Sequence, residues 1–234
     1  MRSGGTPFRR WQRALPSAFL ALALGTGPAV SSTVVGGIEP APSPSAVPAA
    51  SLALARQAVD RLGARLRSLL EAEVAHGGAK GAVDVCADQA QVATREEAAR
   101  LGISLRRISL RYRNPADAPD AFERAALERF AVQAQAGSLP GELAQVVTGA
   151  GGEAELRYLR PIVLGPQCLA CHGQPSALAP GVGEILARRY PDDLATGYAS
   201  GDLRGAFTVR LPLPERLPQT PAAVAPPSGA VGPD

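Results

Sequence analysis

The chain has 234 residues, enough for one sizeable domain or two small ones. With 46% hydrophobic and 19% charged residues it is not disordered throughout, while aromatics at 4% leave its core to aliphatic side chains. The formal charge is +3, but Arg2, Arg9, Arg10 and Arg13 precede residue 14, and without them 20 basic residues face 21 acidic ones. So balanced a remainder has no electrostatic footprint for nucleic acid, and no nucleic-acid partner is expected.

Residues 1–30 read as a secretory signal peptide: the four arginines, an apolar run from Ala14 to Leu24, then small residues through Ser32. The run is shorter than the ~20 residues of a membrane span, and Gly25, Gly27 and Pro28 interrupt it. An exported protein in the periplasm, with no stable membrane span, is therefore expected; an uncleaved signal anchor is the rival. Cleavage fits near Gly25 or Ala29, and no cysteine there offers a lipid anchor. Arg9-Arg10 also admits a twin-arginine route. Residues 31–50, rich in Pro, Ala and Ser, read as a disordered linker, and the Pro-rich residues 214–234 as a disordered tail. Between them, residues 51–213 have the size of one domain.

Ser51 is placed to cap a helix running to about Ala75. Leu52, Ala55, Val59, Leu62, Leu66, Leu69 and Glu73 alternate at spacings of three and four. Such a stripe packs on its own domain or on a second copy of the chain, which would make a homodimer through this helix. His76-Gly77-Gly78 reads as a stop. A second helical stretch from Gly81 to Leu101 contains Cys86, and Gly102 closes it. From Ile103 to Tyr112 the period becomes two, the mark of a half-buried strand, and Asn114-Pro115 breaks it. Asp120 and Glu123 make a capping-box pattern for a helix ending at Gly137, with Phe122, Ala126 and Phe130 on one face. Leu143–Val147 and Glu153–Val163 read as strands joined across a glycine-rich turn, Val182–Tyr190 as a short helix, and Gly205–Leu211 as a last strand. Antiparallel strands with helices outside them make an α+β domain.

The stretch Cys168-Leu-Ala-Cys171-His172 carries the chemistry. Cys-x-x-Cys-His is the attachment sequence of c-type haem. Two thiols on one helical turn can each add to a vinyl group along the haem edge, and the next histidine is carried beneath the iron. Export agrees with this, because covalent attachment takes place outside the bacterial cytoplasm. A thioredoxin-like pair would need a βαβ context and would leave His172 idle. A zinc site is the stronger rival, drawing on Cys168, Cys171, Cys86 and His76 or His172, although Cys86 and His76 do not form a close second pair. A disulfide-bearing protein with a chance match is the bland alternative.

Arg106 to Asp120, Tyr158 to Ile162, Cys168 to Gly173, Tyr190 to Gly197 and Gly201 to Phe207 together resemble a single-haem c-type family with a PAS-like fold. The resemblance spans roughly Leu52 to Leu213. It implies a PAS-like antiparallel sheet with flanking helices and a long N-terminal helix, one covalent haem c, and periplasmic or luminal placement. It also implies His172 as one iron ligand and Cys86, in a segment similar to the family's, as the other. The residues by themselves leave Cys86, His76, Lys80 and an open site as alternatives, since Met1 leaves with the signal and a free cysteine is often only a buried small hydrophobe. Arg106, Arg107, Arg111 and Arg113 either hold the haem propionates through bidentate hydrogen bonds or face solvent from alternate strand positions. Asp192, Asp193 and Asp202 suit turn and capping roles.

Three functions follow: a redox or ligand sensor or low-potential electron-transfer protein, serving a redox or signalling protein partner; a peroxidase-like haem enzyme with an open iron site; or a zinc-stabilised binding module. No nucleophile–base pair or phosphate-cradling glycine loop is present, so no catalytic turnover is expected.

Overall fold

A computed structural model describes residues 46–213 apart from residue 150. The expected signal peptide, the tail from residue 214 and all but the last five residues of the linker lie outside the described residues.

Helix α1 (Ala49–Leu101) begins two residues before the expected cap, and Ser51 lies inside its first turn. Pro48 has its φ fixed near the helical value, its carbonyl accepts the first helical bond from the Leu52 N–H at 3.0 Å, and two alanines follow. The expected stop is an elbow. Gly78 has φ 66° and ψ −170°, a conformation open essentially to glycine alone. There the chain doubles back, because Arg65 Nη2 lies 2.6 Å from Glu96 Oε2 although 31 residues separate them. Along a straight helix that interval would span ~46 Å. The two limbs, 49–77 and 79–101, thus form a helical hairpin, closed by Gly102 in the left-handed conformation.

The sheet is four-stranded and antiparallel in the order β1-β4-β3-β2, with β1 (Ser104–Ile108), β2 (Leu143–Thr148), β3 (Ala154–Val163) and β4 (Leu203–Pro212). Ala55, Ala58, Val59 and Leu62 of the first limb are buried against Leu105, Leu156, Tyr158 and Val209 on one face. Ala55, Val59 and Leu62 of the apolar stripe are therefore covered by the chain's own sheet, while Leu52, Leu66 and Leu69 stay half-buried. Polar contacts rim this layer. The Tyr158 hydroxyl donates to Glu142 at 2.9 Å and accepts from Arg160 Nε at 2.9 Å, and Arg56 and Arg160 pair with Glu142 and Asp60. Burial and the Glu142 carboxylate push the phenol of Tyr158 up to about 12.

Helix α2 (Ala121–Gln135) starts at the expected capping box: the Asp120 side chain accepts from the Glu123 N–H at 2.8 Å, and the Glu123 carboxylate accepts from the Asp120 N–H at 2.9 Å. Its Ala126, Leu127 and Phe130 cover the opposite face of the sheet through Ile108, Leu159 and Ala206. Helices on both faces of one antiparallel sheet give the α+β architecture expected. No helix among the described residues is long and apolar enough to cross a membrane.

Strand β1 ends at Ile108, four residues short of the expected Tyr112. The Ser109 N–H donates to the Asp117 carbonyl at 3.0 Å and its Oγ to the Arg204 carbonyl at 2.7 Å, which lifts the backbone out of the ladder. Residues 109–113 become a strap leading away from the sheet. It meets the long connection between β3 and β4, which contains α3 (Leu169–His172) and α4 (Val182–Arg189).

Candidate functional site

The motif occupies one compact turn. Cys168 ends a 3-10 turn and Cys171-His172 ends α3. All three cysteines of the chain are free thiols. Cys168 packs beside Leu164, Ala195 and Tyr198, and Cys171 beside Val83, Val182, Ile185 and Leu186, so each thiol is bedded in a separate apolar cluster. Burial pushes the Cys171 thiol up.

His172 is held by its Nδ1, 2.7 Å from the Ala195 carbonyl. That contact makes Nδ1 the protonated nitrogen and leaves the Nε2 lone pair for a ligand bond. Tyr198 stands edge-on to the imidazole with centroids 6.3 Å apart, and its N–H donates to the His172 carbonyl at 3.0 Å. Burial, then the charges of Arg113 and Arg204, push the imidazole down to about 3. It is neutral in the folded chain, as a metal ligand must be.

Cys86 lies on the second limb of α1. Ala79, Val83 and Cys86, at intervals of four and three, share one helical face. Ala79 and Val83 pack against the cluster holding Cys171, and the Cys171 thiol lies 3.9 Å from the Ala79 carbonyl. The same face thus carries Cys86 towards the motif. Cys86 is exposed; burial by the surrounding protein pushes its thiol up while the charges of Arg107 and Arg113 pull it down. His76 is exposed near the elbow. Lys80 instead lies against Gly181. Among the described residues no three His, Cys, Asp or Glu side chains lie together as a metal ion would require. Two free thiols on one turn, a neutral histidine with Nε2 available and a thiol on the facing helix are a donor set that fits haem c.

A family model described as Tll0287-like matches residues 30–212. The chain belongs to the Tll0287-like family. Among solved structures, the crystal structure of the cyanobacterial heme-protein Tll0287 aligns with a TM-score of 0.56 at 26% identity, covering 73% of this chain and 100% of that one. No curated protein matches the chain.

In this Tll0287-like domain three of the four candidate arginines are engaged elsewhere. Arg106 pairs with the buried Glu123. Arg111 donates to the carbonyls of Leu194 and Thr196 and lies 4.2 Å over the Tyr198 ring. Arg113 donates to the Cys171 carbonyl at 2.7 Å and pairs with Asp193 at 3.1 Å. Asp193 in turn accepts from the Ala195 N–H at 2.8 Å, so it does more than shape a turn: it fixes the loop whose carbonyl orients His172. Only Arg107 of the four has no hydrogen-bonded or paired protein partner among the described residues.

Sequence reasoning missed Arg204. Its Nη1 donates to Ser109 Oγ at 2.7 Å and to the Arg111 carbonyl at 3.0 Å, and its guanidinium lies 5.7 Å from the Tyr198 ring. No carboxylate pairs with it among the described residues, and burial leads the causes that lower its pKa, with Arg113 and Arg107 adding to it. The sole signal was its place in Gly201–Phe207, one of the segments carrying the family resemblance.

The depressed His172 pKa has a measurable consequence in chain made without haem attachment. Between the folded value of about 3 and the ordinary 6.5, the unfolded chain binds a proton that the folded chain refuses. This contribution to stability is complete above pH 6.5 and is lost as pH falls towards 3. Thermal melts from pH 7 to pH 4.5 should show that loss, and H172Q should flatten it. Equal slopes in both proteins would contradict the neutral imidazole.

Proposed function

We propose that the chain is an exported, periplasmic c-type haem protein that reports redox state or a bound ligand, or passes electrons at low potential, to a protein partner. The observation that carries this reading is the His172 Nδ1 contact with the Ala195 carbonyl, which aims a neutral Nε2 from the same turn that presents two free thiols. The relative of known structure, a haem protein, supports the same reading. When bound, haem supplies an iron centre that exchanges one electron and, with a coordination position free, takes a diatomic ligand.

The chain's own residues would divide the work. Cys168 and Cys171 would hold the haem through thioether bonds, each formed by adding a thiol across a vinyl group, and His172 would ligate through Nε2. Arg113, Asp193 and Ala195 keep the imidazole oriented. Cys86 would supply the second iron ligand, as a thiolate. A thiolate donates electron density and favours ferric over ferrous iron, whereas the methionine of many electron carriers raises the potential. Cys86 lies on the second limb of α1, so its hold on a bound haem would tie that limb to the motif. Expression with haem-attachment machinery, followed by absorption spectra of oxidised, reduced and pyridine-treated protein, tests the reading. One covalent haem with a low-spin ferric spectrum is expected. A colourless protein would overturn it.

A further inference from the structure

Arg204 sits at an irregularity in the sheet. Ile162 pairs with Gly205 and Val163 with Leu203, so Arg204 is the extra residue of a bulge in β4. A bulge turns a side chain out of the alternation of its strand, commonly beside a functional site. Gly205 permits the close approach, since a Cβ there would stand 2.1 Å from the Ile108 carbonyl oxygen. The re-aimed guanidinium reaches the Tyr198 ring, which stands edge-on to His172. Arg107 comes from β1 on the side of the sheet that faces α1, two residues before Ser109, the residue to which Arg204 donates.

Arg107, Arg113 and Arg204 thus gather like charge beside the motif, and among the described residues a carboxylate, Asp193, pairs only with Arg113. Arg107 and Arg204 are both half-buried, neither has an ion-paired carboxylate among the described residues, and guanidiniums of like charge held together favour an anion between them. Guanidinium forks suit carboxylates and phosphates, and a haem held by this motif brings two carboxylates of its own. We propose that Arg107 and Arg204 form an anion pocket for the two propionate carboxylates of the haem. The pocket deepens the haem reading and rests on it. Arg106, Arg111 and Arg113, committed to protein partners, hold the frame and not the propionates.

The test uses the haem-loaded full chain and its R107Q, R204Q, R204K and double R107Q/R204Q variants, with R188Q at an exposed position of α4 as control. Covalent attachment keeps haem on the variants while its surroundings change. At a fixed applied potential the ferrous-to-ferric ratio should fall about tenfold in R204Q and further in the double variant, because a cation near the iron has been removed. That change is ~59 mV in midpoint potential. R204K should restore most of the ratio but not the wild-type propionate-bending band in resonance Raman spectra, and R188Q should alter neither. Should R204Q fail to accumulate, R107Q and R204K carry the same comparison. Haem attached with ratio and Raman band unchanged in R107Q and R204Q would overturn the pocket while leaving the haem reading intact. Absence of haem from the wild-type chain would instead end both. Inorganic phosphate added to the wild-type protein should not move the potential. A phosphate-dependent shift abolished by R204Q would assign the pocket to a diffusible anion and overturn the propionate assignment.

Discussion

Replacing Glu123 by alanine is expected to cost about 3–5 kcal/mol of stability, a large part of what a domain of this size has. The carboxylate is fully buried, at 0% exposure. It accepts from Arg106 Nη2 at 2.5 Å, from the Asp120 N–H at 2.9 Å and from Thr208 Oγ1 at 3.0 Å, and lies 3.6 Å from Arg157. It therefore joins the start of α2, β1 and β4 in one network. Truncation would remove the capping-box partner and leave the buried Arg157 and Thr208 short of an acceptor, while Asp120 and Glu155 still hold part of the Arg157 charge. Gln in the same place keeps the shape and one acceptor, so E123Q should cost less than E123A. Thermal unfolding followed by circular dichroism should show a fall of roughly 10 °C or more for E123A. A change below about 1 kcal/mol would mean that water replaces the carboxylate without penalty.

The second large effect belongs to Cys86. Under the proposed ligation, C86S should convert low-spin ferric haem towards high spin and raise the midpoint potential by on the order of 100 mV or more, since axial ligands set haem potentials over a range of ~0.8 V. Serine is nearly the same size, so packing is little disturbed and the change reports the lost thiolate. Carbon monoxide should bind ferrous C86S faster than the wild-type protein, because no thiolate competes for the position. H76A should leave spectrum and potential alone. If C86S keeps both and H76A changes them, His76 is the ligand and Cys86 a packing residue. If neither variant changes them, the position opposite His172 is open, and the peroxidase-like alternative gains.

The motif turn was legible because its chemistry is written in consecutive residues, and the α2 start because the Asp120–Glu123 box is local. Elements whose placement depends on distant partners were less so. Gly77-Gly78 reads as a stop in a one-dimensional pattern; only the Arg65–Glu96 pairing reveals that the two helices fold onto each other. The alternation from Arg107 to Tyr112 continues the strand on paper, but Ser109 has bonding partners at Asp117 and Arg204 that take the backbone elsewhere. The arginines that followed were thus given strand roles, whereas Arg111 and Arg113 clamp the loop beside His172. Arg204 could not be found by periodicity at all. Its orientation comes from a register shift between two strands, and such a shift leaves no mark in either strand alone.

The most direct measurement is the mass of the denatured chain after expression with haem-attachment machinery, for the wild type and for C168A/C171A. A wild-type polypeptide heavier by one haem, which acid–acetone does not extract, is predicted, with the double variant at the mass of the bare chain. A wild-type chain at its bare mass, with any colour passing into the acetone, would contradict covalent attachment through Cys168 and Cys171.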